Sequence, residues 1–142
     1  MNALTDRFPF YGVVTLRLAL GLVMLAHAAA KYFIFTLPGT AAFFAAHGFP
    51  GWTAYPVFLM EAVGSVLLLV GWRPRWVAAA LLPVMLGACF AHAPNGWMFT
   101  APNGGWEYPA FLVLALGAQF LIGDAAQIAR IANRRTGQKQ LL

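Results

Sequence analysis

The sequence predicts an all-α fold class: an integral membrane four-helix bundle with a short interfacial helix after the first spanning helix and a basic cytoplasmic C-terminal tail. Hydrophobic residues make up 61% of its 142 residues and charged residues only 9%, whereas soluble domains average about 25% charged residues. The mean hydropathy is +0.72. Four apolar segments have the length of a spanning helix, about 20 residues. We therefore predict a single transmembrane domain over residues 1–142.

The first span is predicted over residues 12–35. Ala28–Ala30 resembles the cleavage site of a signal peptide, which is the competing interpretation. The apolar run, however, continues to Phe35, and Arg17 would interrupt the core of a signal peptide. We therefore expect a retained helix.

Three ionisable residues share one face of this first helix. At about 100° per residue, Arg17, His27 and Lys31 fall within about 80° of one another. Arg17 and Lys31 could each reach the headgroups at their own end of the helix. Because they share a face with His27, we expect this polar stripe to point into the bundle.

The connector over residues 36–52 contains an apolar stretch that is too short to span. Pro38 and Gly39 should end the first helix, and Thr40 is the expected N-cap of this stretch, which ends at Gly48. We expect the stretch to lie at the membrane surface or to dip into it.

The second span, residues 53–71, contains a buried acid. Glu61 is the only acid in this apolar run, and Gly64 and Ser65 lie close to it in the sequence. A carboxylate in the hydrocarbon core costs roughly 2.5 kcal/mol or more even on lenient insertion scales. Partners for Glu61 must therefore come from elsewhere in the chain.

Two further spans complete the predicted bundle. The third covers residues 76–93, after a turn at 72–76, and the fourth covers residues 106–123. Glu107 in the first turn of the fourth helix complements the helix dipole. The loop between these two helices, residues 94–105, carries no charge.

The distribution of basic residues predicts the orientation. The turn and the C-terminal tail together hold six lysines and arginines, whereas the connectors 36–52 and 94–105 hold none. The positive-inside rule then places both termini in the cytoplasm and the uncharged loops on the periplasmic side of a bacterial inner membrane. The basic residues behind the net charge of +5 are thus explained by membrane topology, and no nucleic-acid partner is expected. The single cysteine, Cys89, excludes an intrachain disulfide.

Ionisable groups from all four helices are expected at one depth, in the outer half of the bundle. The candidate catalytic residues are Glu61, Lys31 and Glu107, and the candidate cofactor-binding residues are Arg17, His27, His92 and Trp106. Such a cluster supplies hydrogen-bond partners and a proton route for a quinone head group. Aromatic walls for its ring are expected from Phe43, Phe44, Trp97 and Trp106. The alternative is a charge-compensated core, in which Lys31 pairs with Glu61 or Glu107 and no ligand binds.

Copper and haem are alternative cofactors. Met85, Cys89 and His92 supply soft ligands for copper at helical spacing. His27 and His92 could be the axial ligands of a haem if their helices face each other. A stripe of methionine and cysteine is more often core packing, so no metal site is predicted.

Several motifs of the chain occur in the same order in a known family. They are Arg17-Leu18 with Gly21, Lys31, Glu61-Ala62-Val63-Gly64-Ser65, Gly105-Trp106-Glu107 and Leu121-Ile122-Gly123-Asp124. Over about residues 12–125 the chain resembles the DoxX family of small four-helix bacterial membrane proteins. The resemblance implies an association with respiratory or redox systems, because relatives include the membrane subunit of a thiosulfate:quinone oxidoreductase and partners of secreted thiol enzymes. It also implies functional positions at Arg17, Lys31, Glu61 and Glu107.

The sequence supports three hypotheses of function. The first is an inner-membrane subunit of a respiratory or redox system that binds a quinone-type or other apolar ligand; whether it is itself an oxidoreductase stays open. The second is a non-catalytic scaffold that docks a periplasmic redox enzyme through the two uncharged loops. The third is a small transporter, although a four-helix unit without a repeat rarely alternates access unless it forms a homo-oligomer.

Overall fold

The protein is described by a computed structural model over residues 8–123, and this part of the chain is helical and contains no strand. The prediction of an all-α protein is therefore confirmed. The α-helices are α1 (Phe8–Ala29), α2 (Leu37–Ala46), α3 (Ala54–Val70), α4 (Pro74–His92) and α5 (Glu107–Ile122). Shorter helical segments are a π-helical turn at Ala30–Ile34 and 3-10 turns at Gly51–Thr53 and Ala93–Asn95. The predicted basic tail lies outside the described residues.

Three helical stretches are long and apolar enough to cross a membrane: Phe8–Ile34, Gly51–Val70 and Pro74–Asn95. Both α2 and α5 are apolar but shorter, and α5 has 16 residues. A helix of that length extends about 24 Å, somewhat less than the roughly 30 Å of a hydrocarbon core. Of the four predicted spans, the first three thus meet the length criterion in the described residues.

Side-chain contacts establish that α1 and α3 are antiparallel. Along α1, Arg17 lies against Gly71, Gly21 against Leu69 and Lys31 against Glu61, so residue numbers rise on α1 as they fall on α3. The contact at Gly21 is close, because a Cβ there would lie 2.8 Å from the Leu69 side chain and 3.2 Å from the Ser65 carbonyl oxygen. Glycine at this position therefore allows the two helices to approach.

One core joins four helices. Its buried residues come from α1, α3, α4 and α5, and they are Leu20, Met24, Leu68, Val77, Ala78, Leu81, Met85, Leu112 and Leu116. Outside this core, large apolar side chains such as Leu22, Val66, Leu86 and Leu114 are exposed on all four helices. An apolar exterior of this extent is unfavourable in water and matches a lipid environment.

The short helix α2 begins earlier than the sequence predicted. Thr36, and not Thr40, is the N-cap, and its side chain accepts a hydrogen bond from the Gly39 amide at 3.2 Å. Pro38 is tolerated because it lies in the first turn, where the backbone N–H has no partner in a helix. The Thr40 hydroxyl instead donates to the Thr36 carbonyl oxygen at 2.9 Å. Pro38 therefore starts α2 as well as ending the preceding helix.

The connections between the helices lie at two opposite ends of the molecule, here called the arginine end and the loop end. The arginine end comprises the start of α1, the turn 71–73 between α3 and α4, and the last turn of α5. The loop end comprises the end of α1, α2, and the connections 47–53 and 93–106. The predicted site residues divide between these ends.

Candidate functional site

An ion pair joins α1 to α3 near the loop end. The Lys31 Nζ atom lies 2.7 Å from Glu61 Oε2, and this is the one ion pair among residues 8–123. The Glu61 side chain is 1% exposed and that of Lys31 is 19% exposed. Gly64 and Ser65, which follow Glu61 on α3, are also buried. Ser65 lies on the α1 side of α3, since its carbonyl oxygen would be 3.2 Å from a Cβ at Gly21, whereas a Cβ at Gly64 would meet Leu81 of α4 at 3.2 Å.

Lys31 lies in a π-helical turn, Ala30–Ile34, that continues α1. The turn is closed by a hydrogen bond of 2.9 Å from the Phe35 amide to the Ala30 carbonyl oxygen. A π-helical turn rotates the residues around it relative to a regular helix, and such turns occur frequently at functional sites. No sequence signal marks this turn, since none of its residues is a glycine or proline.

The second oxygen of the Glu61 carboxylate has no hydrogen-bond partner among residues 8–123. Glu61 Oε1 is buried and accepts no hydrogen bond from the part of the chain that the structure describes. Leaving a buried acceptor unpaired costs about 1–3 kcal/mol, and more when the group is charged. The pair therefore satisfies only half of the hydrogen-bonding capacity of this carboxylate, and a ligand hydroxyl, a water or a proton would satisfy the rest.

An apolar groove lies between α1 and α3, and its lining includes sequence neighbours of Lys31 and Glu61 but neither of these two residues. It has a volume of about 280 Å³, and its lining residues are Leu25, Ala28, Ala29, Tyr32, Phe33, Phe58 and Ala62. Tyr32 directly follows Lys31, and Ala62 directly follows Glu61. The rings of Tyr32 and Phe58 stack with their centroids 5.9 Å apart and an interplanar angle of 23°. The groove opens where Tyr32 and Phe33 are exposed, on the apolar exterior.

The sequence analysis did not predict the aromatic residues of this groove. It expected the aromatic walls of a ligand site from the residues Phe43, Phe44, Trp97 and Trp106. Phe43 instead packs against His47, with ring centroids 4.0 Å apart, and Trp97 packs edge-on against Trp106 at 4.4 Å. Neither contact is part of the groove. Tyr32 could have been found from its position next to Lys31, and Phe58 from its position one helical turn before Glu61.

His27 lies one helical turn before Lys31 on α1. Its ring meets that of Tyr108 edge-on, with centroids 5.7 Å apart and an interplanar angle of 84°. Tyr108 is in the first turn of α5. The contact brings the start of α5 to the α1 face that carries the ion pair, so His27 belongs with Lys31 and Glu61 in one neighbourhood.

Three other predicted site residues stabilise the loop between α4 and α5. His92 Nδ1 lies 3.2 Å from the Gly104 carbonyl oxygen, and Glu107 Oε2 accepts a hydrogen bond of 3.2 Å from the Phe99 amide. Trp106 packs against Trp97. These contacts involve the loop backbone and its aromatic side chains, and none of them involves Lys31 or Glu61.

Arg17 lies far from the ion pair, at the arginine end. Its guanidinium group occupies the space that a Cβ at Gly71 would fill. Fourteen residues of helix separate Arg17 from Lys31, which corresponds to about 21 Å along the axis. The structure thus brings His27, Lys31 and Glu61 together, places His92, Trp106 and Glu107 on the loop, and separates Arg17 from both groups.

Potential metal ligands are scattered in the described part of the chain. Within residues 8–123, no group of three or more His, Cys, Asp or Glu side chains is placed to hold a metal ion. The copper alternative would need Met85, which is only 3% exposed and belongs to the shared core.

Long apolar helices, an apolar exterior and a buried ion pair between two of the helices define a helical membrane protein. The model of the DoxX family matches residues 12–94, more than half of the chain, and the chain belongs to the DoxX family. The match covers α1 to α4 and includes both Lys31 and Glu61, but it ends before Trp106 and Glu107. No curated protein and no solved structure shows significant similarity to the chain.

Proposed function

We propose that the chain is an inner-membrane subunit of a respiratory or redox system and that it binds a quinone-type head group at the Lys31–Glu61 pair. The observation that carries the proposal is the buried Glu61 Oε1 atom, which has no hydrogen-bond partner among residues 8–123, and an apolar groove between α1 and α3 that is lined by Tyr32 and Ala62, the sequence neighbours of the pair, supports it. A quinone is dissolved in the bilayer, so its route to the site is lateral, through this groove. Membership of the DoxX family supports the link to redox systems.

The proposed topology is a four-helix transmembrane bundle in which α1, α3, α4 and α5 cross the membrane. Support comes from the antiparallel contacts of α1 with α3 and from the core that all four helices share. The arginines of the 71–75 turn and the uncharged connectors favour a cytoplasmic arginine end and a periplasmic loop end. The ion pair would then lie in the outer half of the bundle.

The chemistry of the proposed site follows from the donors and acceptors of the pair. Lys31 Nζ donates to a carbonyl oxygen of the quinone, and Glu61 Oε1 accepts from a hydroxyl of the quinol form. The stacked rings of Tyr32 and Phe58 offer a flat apolar surface to the head group. His27, one turn from Lys31, lies where it can exchange a proton with the site. Electrons would come from the partner oxidoreductase of the same system.

The test is to measure quinone bound to the purified protein by organic extraction and mass spectrometry, followed by titration with a short-chain ubiquinone. We expect a stoichiometric quinone in the wild type and at least a roughly tenfold weaker affinity in Glu61→Gln, because a hydrogen bond to a charged group contributes about 1.5–3 kcal/mol. Glu107→Gln is the matched control, the same change at an acid whose carboxylate accepts a hydrogen bond from the Phe99 amide in the loop, and it should bind quinone as the wild type does. An empty wild type that also fails to bind added quinone would refute the proposal.

A second candidate function is the docking of a partner protein at the loop end. The 93–106 connection is held by backbone hydrogen bonds from Trp106 to Gly96 at 3.1 Å and from Glu107 to Trp97 at 3.0 Å. The Asn95 side chain also donates to the Gly104 carbonyl oxygen at 2.8 Å. A loop with this many internal bonds has a defined shape, which is the requirement for a docking surface.

The loop nevertheless exposes apolar side chains, Trp97, Met98 and Phe99. Replacing Trp97 and Phe99 by alanine tests the docking function. If docking is the main function, this double variant loses a partner captured by a photo-crosslinker at position 98, whereas Glu61→Gln retains it at matched protein level. Retention of the same crosslinked partner by the Trp97/Phe99 variant would exclude the loop as the docking surface.

A further inference from the structure

Three arginines from two parts of the chain meet at the arginine end. The Arg17 guanidinium group lies against Gly71, which ends α3 with a φ of +79°. Arg73 follows two residues later, and Arg75 lies in the first turn of α4 with its guanidinium carbon 5.0 Å from the centre of the Phe120 ring. Packing therefore holds Arg17 and Arg75 near one short turn that also carries the exposed Arg73.

Two of these charges occupy an electrostatically unfavourable place. Arg73 is the N-cap of α4 and Arg75 lies in its first turn, which contains no acid. The N-terminus of a helix carries a partial positive charge and stabilises anions, so cations there raise the energy. An anion bound at this end would interact favourably with the helix terminus and with both guanidinium groups.

The described part of the chain supplies no such anion. The Nε atoms of Arg17 and Arg75 are buried and have no hydrogen-bond partner among residues 8–123. The two acids in that range, Glu61 and Glu107, lie in the half of the molecule nearer the loop end, and Glu61 is already paired with Lys31. The charge of the arginine end is thus not compensated by the described residues.

We propose that the arginine end binds the phosphate group of an anionic phospholipid. A guanidinium group forms paired hydrogen bonds to two phosphate oxygens, and this geometry distinguishes it from a lysine ammonium. Trp72 in the turn and Trp76 in the first turn of α4 are both exposed, as is typical of tryptophans at the headgroup depth of a bilayer. A phosphate held at that depth is one that a lipid carries, so we assign the ligand to lipid and not to free phosphate.

The proposal is tested by native mass spectrometry of the detergent-purified full chain with added phosphatidylglycerol, phosphatidylcholine or inorganic phosphate. We expect phosphatidylglycerol to bind more tightly than phosphatidylcholine, which carries no net charge. Arg75→Gln and Arg73→Gly should each weaken phosphatidylglycerol binding roughly fivefold, as expected for the loss of one basic residue at a membrane surface. Arg73→Gly keeps the test decisive if Arg75→Gln fails to fold, because glycine suits the left-handed backbone of that residue.

Arg134→Gln is the matched control, since it removes one positive charge and leaves Arg17, Arg73 and Arg75 unchanged. It should weaken binding less than twofold. An equal loss in Arg134→Gln would show general attraction by basic residues and overturn the proposal. Equal binding of phosphatidylcholine would overturn it as well, and displacement of phosphatidylglycerol by equimolar inorganic phosphate would assign the site to a free anion. None of these outcomes bears on quinone binding at Glu61, so the two proposals fail independently.

Discussion

The two charged regions of the molecule differ in how their charge is compensated. At the Lys31–Glu61 pair, cation and anion both come from the chain and lie 2.7 Å apart. At the arginine end, the described residues supply three cations and no anion. The ion pair therefore stabilises the contact between α1 and α3 without an external partner. The three arginines, in contrast, need an anion from outside the described residues, so the stability of the arginine end should depend on the anions around it.

The largest effect is expected from breaking the pair. Lys31→Met leaves the Glu61 carboxylate buried without a counter-charge, and the loss of one partner of a buried pair destabilises a protein by about 3–5 kcal/mol. Glu61→Gln should destabilise less, because the remaining Lys31 side chain is partly exposed. Thermal or denaturant unfolding in detergent measures both variants.

The double variant Lys31→Met/Glu61→Gln is the control for this comparison. It removes both charges, so its stability should lie well above that of Lys31→Met, and the double-mutant cycle gives the coupling between the two residues. If the loss of unfolding free energy in the double variant instead equals the sum of the losses in the two single variants, the two side chains do not interact. The contrast between a paired and an unpaired charged region would then be wrong.

The participation of Lys31 and Glu61 in an ion pair could be predicted from the sequence. Glu61 is the only acid in its apolar run, and Lys31 is one of few cations that a neighbouring helix offers. A charge in an apolar environment requires a partner, so Lys31 was expected to pair with Glu61 or with Glu107. The same reasoning predicted the apolar helices, because hydrophobic length is a property of the sequence itself.

Other parts of the site could not be predicted, for identifiable reasons. The prediction that Arg17, His27 and Lys31 form one polar stripe used only their angles around the helix axis. It did not consider the distance along the axis, which is about 21 Å between Arg17 and Lys31. The π-helical turn at Ala30–Ile34 breaks the regular spacing on which that angle depends. The groove formed by Tyr32 and Phe58 requires knowing which faces of α1 and α3 meet, and this depends on packing between distant residues.

The second-largest effect is expected from a substitution at the arginine end. Gly71→Ala introduces a Cβ where the Arg17 guanidinium group lies, at a residue with a φ of +79°. The left-handed backbone costs about 1–2 kcal/mol for alanine, and the steric conflict with Arg17 adds about 1 kcal/mol or more. We expect a total loss of about 2–3 kcal/mol in unfolding free energy, smaller than that of Lys31→Met, because the Arg17 side chain is flexible.

Gly48→Ala separates the two contributions to this loss. Gly48 has a φ of +85°, and a Cβ there would meet no atom within 4 Å. This variant therefore carries the backbone cost alone, and Gly71→Ala should be the less stable of the two. Equal losses at both positions would mean that Arg17 does not occupy the space beside Gly71.

The smallest effect is expected from Arg73→Gly, which removes a charge without disturbing the fold. Arg73 has a φ of +42°, and glycine adopts this left-handed conformation without strain. Removing a cation from the N-terminus of α4 also removes an unfavourable interaction of about 0.3–1 kcal/mol. In a neutral detergent, unfolding should therefore show unchanged stability or a gain of up to about 1 kcal/mol. In phosphatidylglycerol the same variant should lose part of the stabilisation that this lipid gives the wild type. A loss of stability in neutral detergent as large as that in phosphatidylglycerol would show that Arg73 serves the fold itself and needs no external anion.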